Sequence, residues 1–280
     1  MSSTTPVGLP ELKDAHESAK VLPYLREVWS RRDFISYVAM NELKSRQITN
    51  VLGNFWHLLN PLLSIGIYYI IFGLLLGIRG DGNFLLFLTV GLFIFQFTQK
   101  ATTDGARSII SNPGLLKAVR FPRVILPVTS TFTELLASIS TFAMMFVILL
   151  TGGEAPRLTW LLLPVIVSVQ FVFNLGTAMV AARLTTQFRD MTQILPFVFR
   201  LLLYASGVIY NVDIYAEGNR TIEVLFILNP VYCFISAARW AMLGTSVDGA
   251  VFVSALAWAI VFVTVGFWFF RAAEDRYARD

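Results

Sequence analysis

Two charged residues, Glu134 and Arg200, lie inside long apolar segments of this 280-residue sequence. A charged side chain at mid-membrane costs about 2.5–3.5 kcal/mol on insertion scales, so each is expected to face protein or water. A guanidinium group can hold phosphate oxygens in two parallel hydrogen bonds, which makes Arg200 a candidate contact for a diphosphate head group. Alternatively, Arg200 extends to the membrane interface, and Glu134 belongs to a structural ion pair or polar clamp.

Aromatic residues at helical spacing form a second candidate surface. Sugar rings present apolar C–H faces, and these pack on aromatic rings without demanding one fixed register. Tyr68 and Phe72 share one helix face, as do Phe197 and Tyr204. Tyr210 is a further candidate for a glycan pathway. Ordinary packing or an interfacial aromatic belt is the alternative for each of these residues.

Groups for covalent chemistry are scarce in this sequence. Cys233 is its one cysteine, and His16 and His57 are its two histidines. This excludes an intrachain disulfide and the usual structural zinc sets. Neither a Ser-His-Asp, Cys-His or paired-carboxylate arrangement with suitable partners nor a G-x-x-x-x-G-K-[ST] phosphate loop is present. We therefore expect no catalytic residue, no metal and no nucleotide cofactor on this chain.

Composition places the sequence among integral membrane proteins. Hydrophobic residues make up 56% of it and charged residues only 14%, and the mean hydropathy is +0.66. A helix needs roughly 20 apolar residues to cross about 30 Å of hydrocarbon. Six segments qualify and predict an all-α protein with six transmembrane helices: 58–78, 84–104, 124–150, 158–182, 194–212 and 249–270.

The distribution of Lys and Arg predicts the orientation, since these residues accumulate on the cytosolic side of short loops. One side carries the basic N-terminal arm, the loop after the second span, Arg183, Arg189 and a basic C-terminal end. The other side carries only Arg79, Arg157, Arg220 and Arg239. Residues 1–33 lack the apolar region of a cleavable signal peptide. Both termini are therefore expected in the cytosol.

Two segments precede the six-span domain, which is predicted over residues 58–280. Residues 1–24 are broken by prolines and predict a mobile cytosolic leader. Residues 25–57 mix apolar and charged residues at helical spacing, which predicts an amphipathic helix in the membrane interface. A solvated stop sequence is the alternative. As an interfacial helix at the cytosolic mouth, the segment offers these gate candidates: Trp29, Arg32, Asp33, Lys44 and Arg46.

The apolar segment 221–246 is interrupted by Asn229 and Pro230. Proline removes a backbone donor and disfavours helix in the residue before it. The half-helices 221–228 and 231–243 are each too short to span a bilayer. We expect a re-entrant broken helix between the fifth and sixth spans that enters from the outer face, is surrounded by protein or water, and serves as an outer gate.

Short motifs follow one another in a fixed order along this topology. They are Arg32-Asp33-Phe34, Lys44 to Gly53, Trp56 to Leu62, Phe121-Pro122-Arg123 with Leu126-Pro127, Phe188-Arg189-Asp190, Leu195-Pro196, Ser206 to Tyr210, Asn229-Pro230, and Ala238-Arg239 to Gly244. From Arg31 onward the sequence resembles the permease subunits of type-2 ABC exporters, the group that exports O-antigen polysaccharides and teichoic acids. Its overall look is closest to the actinobacterial, mycobacterial-type galactan exporter permease. One departure is Ser206-Gly207, where many members have Ser-Pro.

The resemblance implies a homodimer of permeases with two ABC ATPase subunits, which bind ATP and Mg. It implies a lipid-linked, polyprenyl diphosphate-bound polysaccharide as substrate, with galactan as the first choice, and the bacterial cell (inner) membrane as location. Membrane lipids are partners, and nucleic acid is not. Two copies about a twofold axis could enclose a polymer that six spans alone could not.

Other functions remain open at this point. The family also offers teichoic acid, O-antigen, lipid or drug as substrates. A secondary transporter would show ion dependence, although no internal repeat is evident. A membrane glycosyltransferase would need an acidic or histidine cluster at the interface.

An ATP-driven permease needs a contact with its ATPase, and the loop Ser111 to Arg123 is the candidate. Asn112, Pro113 and Gly114 predict a turn, and a short amphipathic helix follows through Leu115, Leu116 and Lys117. A positively charged stop between spans would explain the basic residues but not the apolar pair. If Leu115 and Leu116 are exposed, they mark a contact with another subunit.

Overall fold

The computed structural model of this chain describes residues 21–48, 55–77, 83–118, 121–212, 214 and 220–273. Every regular element in these ranges is a helix. The first five are α1 (Val21–Ser30), α2 (Arg32–Ile48), α3 (Phe55–Tyr68, continued by π-helical turns Tyr69–Leu75), α4 (Phe84–Arg107) and α5 (Pro113–Ala118). The remainder are α6 (Ile125–Thr151), α7 (Leu163–Gln187, preceded by a 3₁₀ segment Leu158–Leu162), α8 (Met191–Ala205), α9 (Arg220–Ile227), α10 (Pro230–Leu243) and α11 (Gly249–Arg271).

Four of these helices are long and apolar enough to cross a membrane: α4, α6, α7 with its 3₁₀ segment, and α11. The apolar stretch Leu59–Leu75 and helix α8 are shorter. Helices α9 and α10 bend by 94° at their junction, where the sequence predicts a break at Asn229 and Pro230. The chain is therefore a multi-pass membrane protein, and six complete spans remain a prediction.

Helix α4 occupies the centre of the bundle. Leu88, Phe93 and Ile94 point in different directions around it, and each is at most 1% exposed. A helix that is apolar and covered all round lies inside the bundle. By contrast, α11 exposes a broad apolar surface, as in Val253, Leu256 and Ile260, which suits contact with lipid.

Side-chain contacts fix the relative directions of the helices. Gln170 of α7 donates to the Ile94 carbonyl of α4 (2.8 Å), and the Thr102 and Thr177 hydroxyls are 2.8 Å apart, so these two helices are parallel. The rings of Phe173 and Phe262 lie 4.9 Å apart, and further along Arg183 donates to the Phe269 carbonyl, so α7 and α11 are also parallel.

Helices α6 and α8, which alternate with these three along the chain, run in the opposite direction. In α6, Phe142 contacts Phe97 (6.2 Å between rings), and Gly152 lies against Leu86 near the start of α4. In α8, Phe199 contacts Phe95 at 6.1 Å, while the following turn reaches the earlier Gly91. Helices α6 and α8 are therefore antiparallel to α4.

Small residues allow the parallel helices to pack closely. A Cβ on Gly176 would overlap the backbone of α11 at Phe262 and Val263, and a Cβ on Gly266 would overlap Gly176. Gly105 similarly faces Ala178 across the α4–α7 contact. Apolar burial gives little association energy in lipid, so close backbone approach of this kind is the main source of helix packing there.

The N-terminal segment forms two helices rather than the single helix predicted over 25–57. The Ser30 hydroxyl bonds to the Glu27 carbonyl (2.7 Å), and the Arg31 amide bonds to the Val28 carbonyl (3.1 Å) in a tight turn. Such local bonds compete with the helical pattern. Residues 1–20, most of the predicted leader, and 49–54 lie outside the described residues.

Helix α2 packs along α6 instead of lying only on a membrane surface. Ile35 and Ala39 are buried on this face, and the Thr133 hydroxyl donates to the Glu42 carboxylate (3.5 Å). Helix α1 reaches the end of α11 instead, where Tyr24 contacts Phe267 edge-on at 5.8 Å.

Candidate functional site

Helix α8 carries three exposed residues of the predicted site. Phe197 is 65% exposed and Tyr204 is 47% exposed, and Arg200 lies between them, also exposed. Leu195, Phe199 and Leu203 are buried on the opposite face. The two aromatic side chains therefore do not pack in the core of this chain, which removes ordinary packing as the explanation for them.

Residues from α3 meet this face. The rings of Tyr68 and Phe72 lie 6.2 Å apart, and both are half-buried against the main apolar cluster. Tyr68 is close enough to Tyr204 and Arg200 to interact electrostatically with both. The Arg200 guanidinium also lies 5.8 Å from the centre of the Phe197 ring. The structure thus brings together residues that the sequence placed on separate helices.

The π-helical turns Tyr69–Leu75 begin next to Tyr68. Such turns are rare and are frequently found at functional sites, because they rotate the following side chains relative to a regular helix. Here Tyr69 stacks on Phe84 at the start of α4 (6.3 Å between rings). No sequence pattern predicted this change in helical geometry.

Tyr210 has a different environment from the other candidate aromatics. Its hydroxyl donates to the Tyr204 carbonyl (2.8 Å) at the end of α8, and its ring contacts Phe226 of α9 at 6.5 Å. It therefore links the end of α8 to the broken helix.

Asn229 joins α8 to α10. Its side-chain oxygen caps α10 by accepting from the Val231 amide (3.0 Å), and Pro230 occupies the first helical position. Its side-chain nitrogen donates to the Ala205 carbonyl (3.2 Å) and to the Ser206 hydroxyl (3.0 Å). The junction predicted as an outer gate is therefore bonded to the end of α8.

Arg239, which the charge pattern assigned to the outer side of the membrane, is a buried residue of α10 and only 4% exposed. It donates to the carbonyls of Gly207 (2.8 Å), Val208 (2.7 Å) and Phe87 (3.3 Å). Its guanidinium also lies 3.3 Å from the centre of the Phe87 ring. A charged residue inside an apolar helix was the available signal, as it was for Glu134 and Arg200.

Gly207 adopts φ +61° directly after α8. This left-handed conformation is accessible to glycine and closed to proline, whose ring fixes φ near −65°. The Ser-Gly departure from the family's Ser-Pro pattern therefore has a structural counterpart: the turn that ends α8 could not contain proline at this position.

Glu134 is 2% exposed, so it faces protein, as expected. It belongs to a buried polar stretch of α6 that also includes Thr129, Ser130, Thr131, Thr133 and Ser138. Among the described residues, no group of three or more His, Cys, Asp and Glu side chains is placed to hold a metal ion.

The loop after α4 carries the predicted coupling residues. Leu115 and Leu116 are half-buried and pack within this chain, in a cluster formed by the ends of α1, α6, α7 and α11. Part of each side chain is therefore covered by this chain itself, and their contact with another subunit stays a prediction. Asn112, Pro113 and Gly114 are exposed, and the side chain of Lys117 lies outside the described part of the structure.

The N-terminal gate candidates lie on the exposed side of α1 and α2. Trp29 is 71% exposed, and the Arg32 guanidinium lies 6.0 Å from its ring centre and 3.8 Å from the Asp33 carboxylate. Lys44 is exposed, while the side chain of Arg46 lies outside the described residues. This side faces away from the Ile35 and Ala39 contact with α6.

The chain belongs to the ABC-2 type transporter family, whose model matches residues 35–243. It is 31% identical over 186 residues to an O-antigen export system permease protein RfbA of Klebsiella pneumoniae, covering 66% of this chain and 71% of that protein. A second RfbA of that organism is 27% identical over 248 residues, covering 88% and 94%. The RfbA of Myxococcus xanthus is 28% identical over 214 residues, covering 76% and 81%. The resemblance to type-2 ABC exporter permeases is thereby confirmed.

Proposed function

We propose that this chain is the permease subunit of an exporter that moves a lipid-linked polysaccharide out of the cytosol across the bacterial inner membrane. A separate ABC ATPase subunit binds ATP and Mg and supplies the energy. The names of the relatives, O-antigen export permeases, support the polysaccharide class. Galactan, chosen on the look of the sequence, is our specific candidate for the glycan.

The observation that carries this proposal is the exposed face of α8, on which Arg200 lies between Phe197 and Tyr204 and within electrostatic range of Tyr68 of α3. A permanent cation with phenol hydroxyls in the same region suits the diphosphate that joins a polyprenyl carrier to its glycan. The exposed Phe197 ring, one turn away on α8, offers an apolar face on which sugar rings can slide. Both kinds of contact are accessible from outside this chain.

Helix directions support the six-span topology. Helices α4, α7 and α11 run one way, and α6 and α8 run the other, as would result from one crossing per predicted span. Asn229 contacts the end of α8, and Thr159 before α7 donates to the Ala241 carbonyl at the end of α10 (2.7 Å). Both ends of α10 thus contact segments on the proposed outer side, in keeping with a re-entrant helix and cytosolic termini.

A homodimer with two ATPase subunits fits the distribution of exposed residues. On α3, Leu63, Ile67 and Leu74 are exposed, and so is the face of α8 that carries Arg200. We propose that two copies face each other across these helices and enclose the glycan between them. The exposed turn Asn112 to Gly114, at the start of α5, contacts the ATPase.

Binding of a polyprenyl diphosphate-linked polysaccharide to the purified permease–ATPase complex tests the proposal. Arg200→Ala should weaken binding about tenfold or more, because a charge-assisted contact with the diphosphate is lost. Arg200→Lys should retain part of it. Arg220→Ala is the control, since Arg220 is exposed and pairs with Glu223 (2.9 Å).

The same binding measurements with the lipid carrier alone and with the free glycan show which part of the substrate Arg200 contacts. The Arg200 effect should persist with the diphosphate carrier and vanish with the glycan. Unchanged binding of the linked polymer by Arg200→Ala would refute the proposed site, and ion-dependent transport without ATP would refute the proposed exporter.

A further inference from the structure

The turn that ends α8 is held by two side chains from the broken helix. Asn229 donates to the Ala205 carbonyl (3.2 Å), and Arg239 donates to the carbonyls of Gly207 (2.8 Å) and Val208 (2.7 Å). A buried guanidinium is costly to leave unsatisfied. These bonds therefore resist separation of α8 from α10 at this end.

The guanidinium also reaches α4. It bonds to the Phe87 carbonyl (3.3 Å) and lies over the Phe87 ring. Gly91 makes this possible, because a Cβ there would lie 2.5 Å from the Arg239 Nη2 atom and 3.2 Å from the Val208 carbonyl oxygen. One side chain thus ties together α10, the end of α8 and the start of α4.

Helix α10 is itself fixed. The rings of Phe234 and Phe173 lie 5.4 Å apart, deep in α7. Its last carbonyls accept hydrogen bonds from Arg157 (2.7 Å) and from the Trp160 indole (2.9 Å). Helix α10 is therefore held both near its start and at its end, and it gives the outer end of α8 a fixed attachment.

The rest of α8 is less restrained. Its one-sided packing leaves Ile194, Phe197 and Leu201 exposed, and among these described residues we find no polar bond comparable with the Arg239 group. A helix held at one end and exposed along its length moves most easily about the held end.

We propose that Arg239 is a positioning residue for export, which together with Asn229 keeps the outer end of α8 joined to α10 while the cytosolic end of α8 moves. This inference rests on the proposed export function. In this arrangement α8 and the broken helix do not separate at the outer gate, but stay together as a single body.

A reversible cross-link tests this directly. Ala205→Cys and Leu228→Cys, in a Cys233→Ser background, connect the end of α8 to the α9–α10 junction through a short bis-methanethiosulfonate reagent, which forms one disulfide with each cysteine and releases methanesulfinate. We expect equal cross-linking without nucleotide and in the vanadate-trapped complex, and export by the cross-linked protein within about twofold of the reduced protein. State-dependent cross-linking, or export that stops until a reductant is added, would overturn the proposal.

Two substitutions test Arg239 itself. Arg239→Lys cannot reach all three carbonyls with its compact ammonium group, and Gly91→Ala displaces the guanidinium without removing it. Both should lower export about tenfold or more while the complex assembles and hydrolyses ATP. Gly249→Ala is the control, because a Cβ there meets nothing within 4 Å and α11 is not part of the proposed glycan pathway.

Each outcome of these substitutions counts. Normal export by Arg239→Lys would overturn the proposal, and so would loss of assembly in both variants, which would assign Arg239 to folding alone. The cross-linking yields do not depend on the cargo. If only the glycan assignment is wrong, the cross-linking yields will be as expected. If the proposed role of Arg239 and Asn229 is wrong, the yields will change with nucleotide state while the unlinked cysteine variant still exports the polysaccharide.

Discussion

Arg200 and Arg239 are both arginines in apolar helices, and the fold gives them opposite environments. Arg200 is exposed on α8, near the Tyr68 and Tyr204 phenols. Arg239 is enclosed by backbone carbonyls and is 4% exposed. A guanidinium enclosed by this chain cannot be reached by a ligand, whereas an exposed one can donate to it. Arg200 is thus the arginine suited to substrate, and Arg239 the one suited to structure.

Gly207 gives the residue-scale prediction. We expect Gly207→Pro to lower the melting temperature of the purified protein, because φ +61° is closed to proline. Gly207→Ala should cost about 1–2 kcal/mol for the left-handed conformation alone, and its Cβ would also meet Val212. Gly66→Ala, in a helix with room for a methyl group, should be neutral or slightly stabilising. A Gly207→Pro protein as stable as the original would show that this turn is wrongly described.

At the scale of elements, α5 shows how a helix can serve two contacts. Leu115 and Leu116 pack inward with residues such as Val124 and Phe270, which leaves Asn112 to Gly114 as the exposed part of the loop. A push on this turn would be transmitted through the half-buried leucines to the ends of α1, α6, α7 and α11. In the coupling element that we propose, the apolar pair would form the interior side and the polar turn the outer side.

This division predicts separable effects of mutation. Gly114→Glu should leave folding intact, because a Cβ at Gly114 meets nothing within 4 Å and a carboxylate suits the first turn of a helix. If the turn contacts the ATPase, the polysaccharide exported per ATP hydrolysed should fall about fivefold or more. Leu115→Asp should instead lower the stability of the permease itself.

Gly249→Glu is the matched control, since Gly249 also begins a helix with open space around it and lies on the proposed outer side. It should export normally. Unchanged coupling in Gly114→Glu would argue against this turn as the ATPase contact.

At the scale of the whole molecule, alternating helix directions decide which ends lie together. Asn83, Asn229 and Asp248 cap the starts of α4, α10 and α11 with their side chains. Asn83 and Asp248 begin the parallel helices α4 and α11. The caps Asn83 and Asp248 therefore share one side of the bundle, which we propose is the outer face, and α5 lies on the opposite side.

Cysteine labelling tests this arrangement in intact cells. A membrane-impermeant maleimide should label Gly249→Cys directly and Gly114→Cys only after permeabilisation. The native Cys233 is buried and should contribute little in either case. Labelling of both positions from the outside, or of Gly114→Cys alone, would contradict the six-span topology with cytosolic termini.

Local sequence predicted the helices well where length and composition suffice. The predicted spans 84–104, 124–150 and 249–270 correspond to Phe84–Arg107, Ile125–Thr151 and Gly249–Arg271, because a run of apolar residues is a local property. Proline and its preceding residue also fix a local conformation, so the break at Asn229 and Pro230 could be predicted. The break at Arg31 was not predicted, because residues 25–57 keep apolar and charged residues at helical spacing and contain no proline.

The sequence by itself determined the membrane class, the family resemblance and the positions of most helices, because hydropathy and backbone restrictions act over a few neighbouring residues. Only the tertiary structure decided the environments of the side chains. Whether a leucine in α5 or an arginine in α10 is exposed depends on which distant helix covers it. The burial of Arg239 beneath the end of α8 depends on contacts between residues more than 30 positions apart, and the electrostatic influence of Arg200 on Tyr68 depends on the placement of two different helices. No local pattern encodes either.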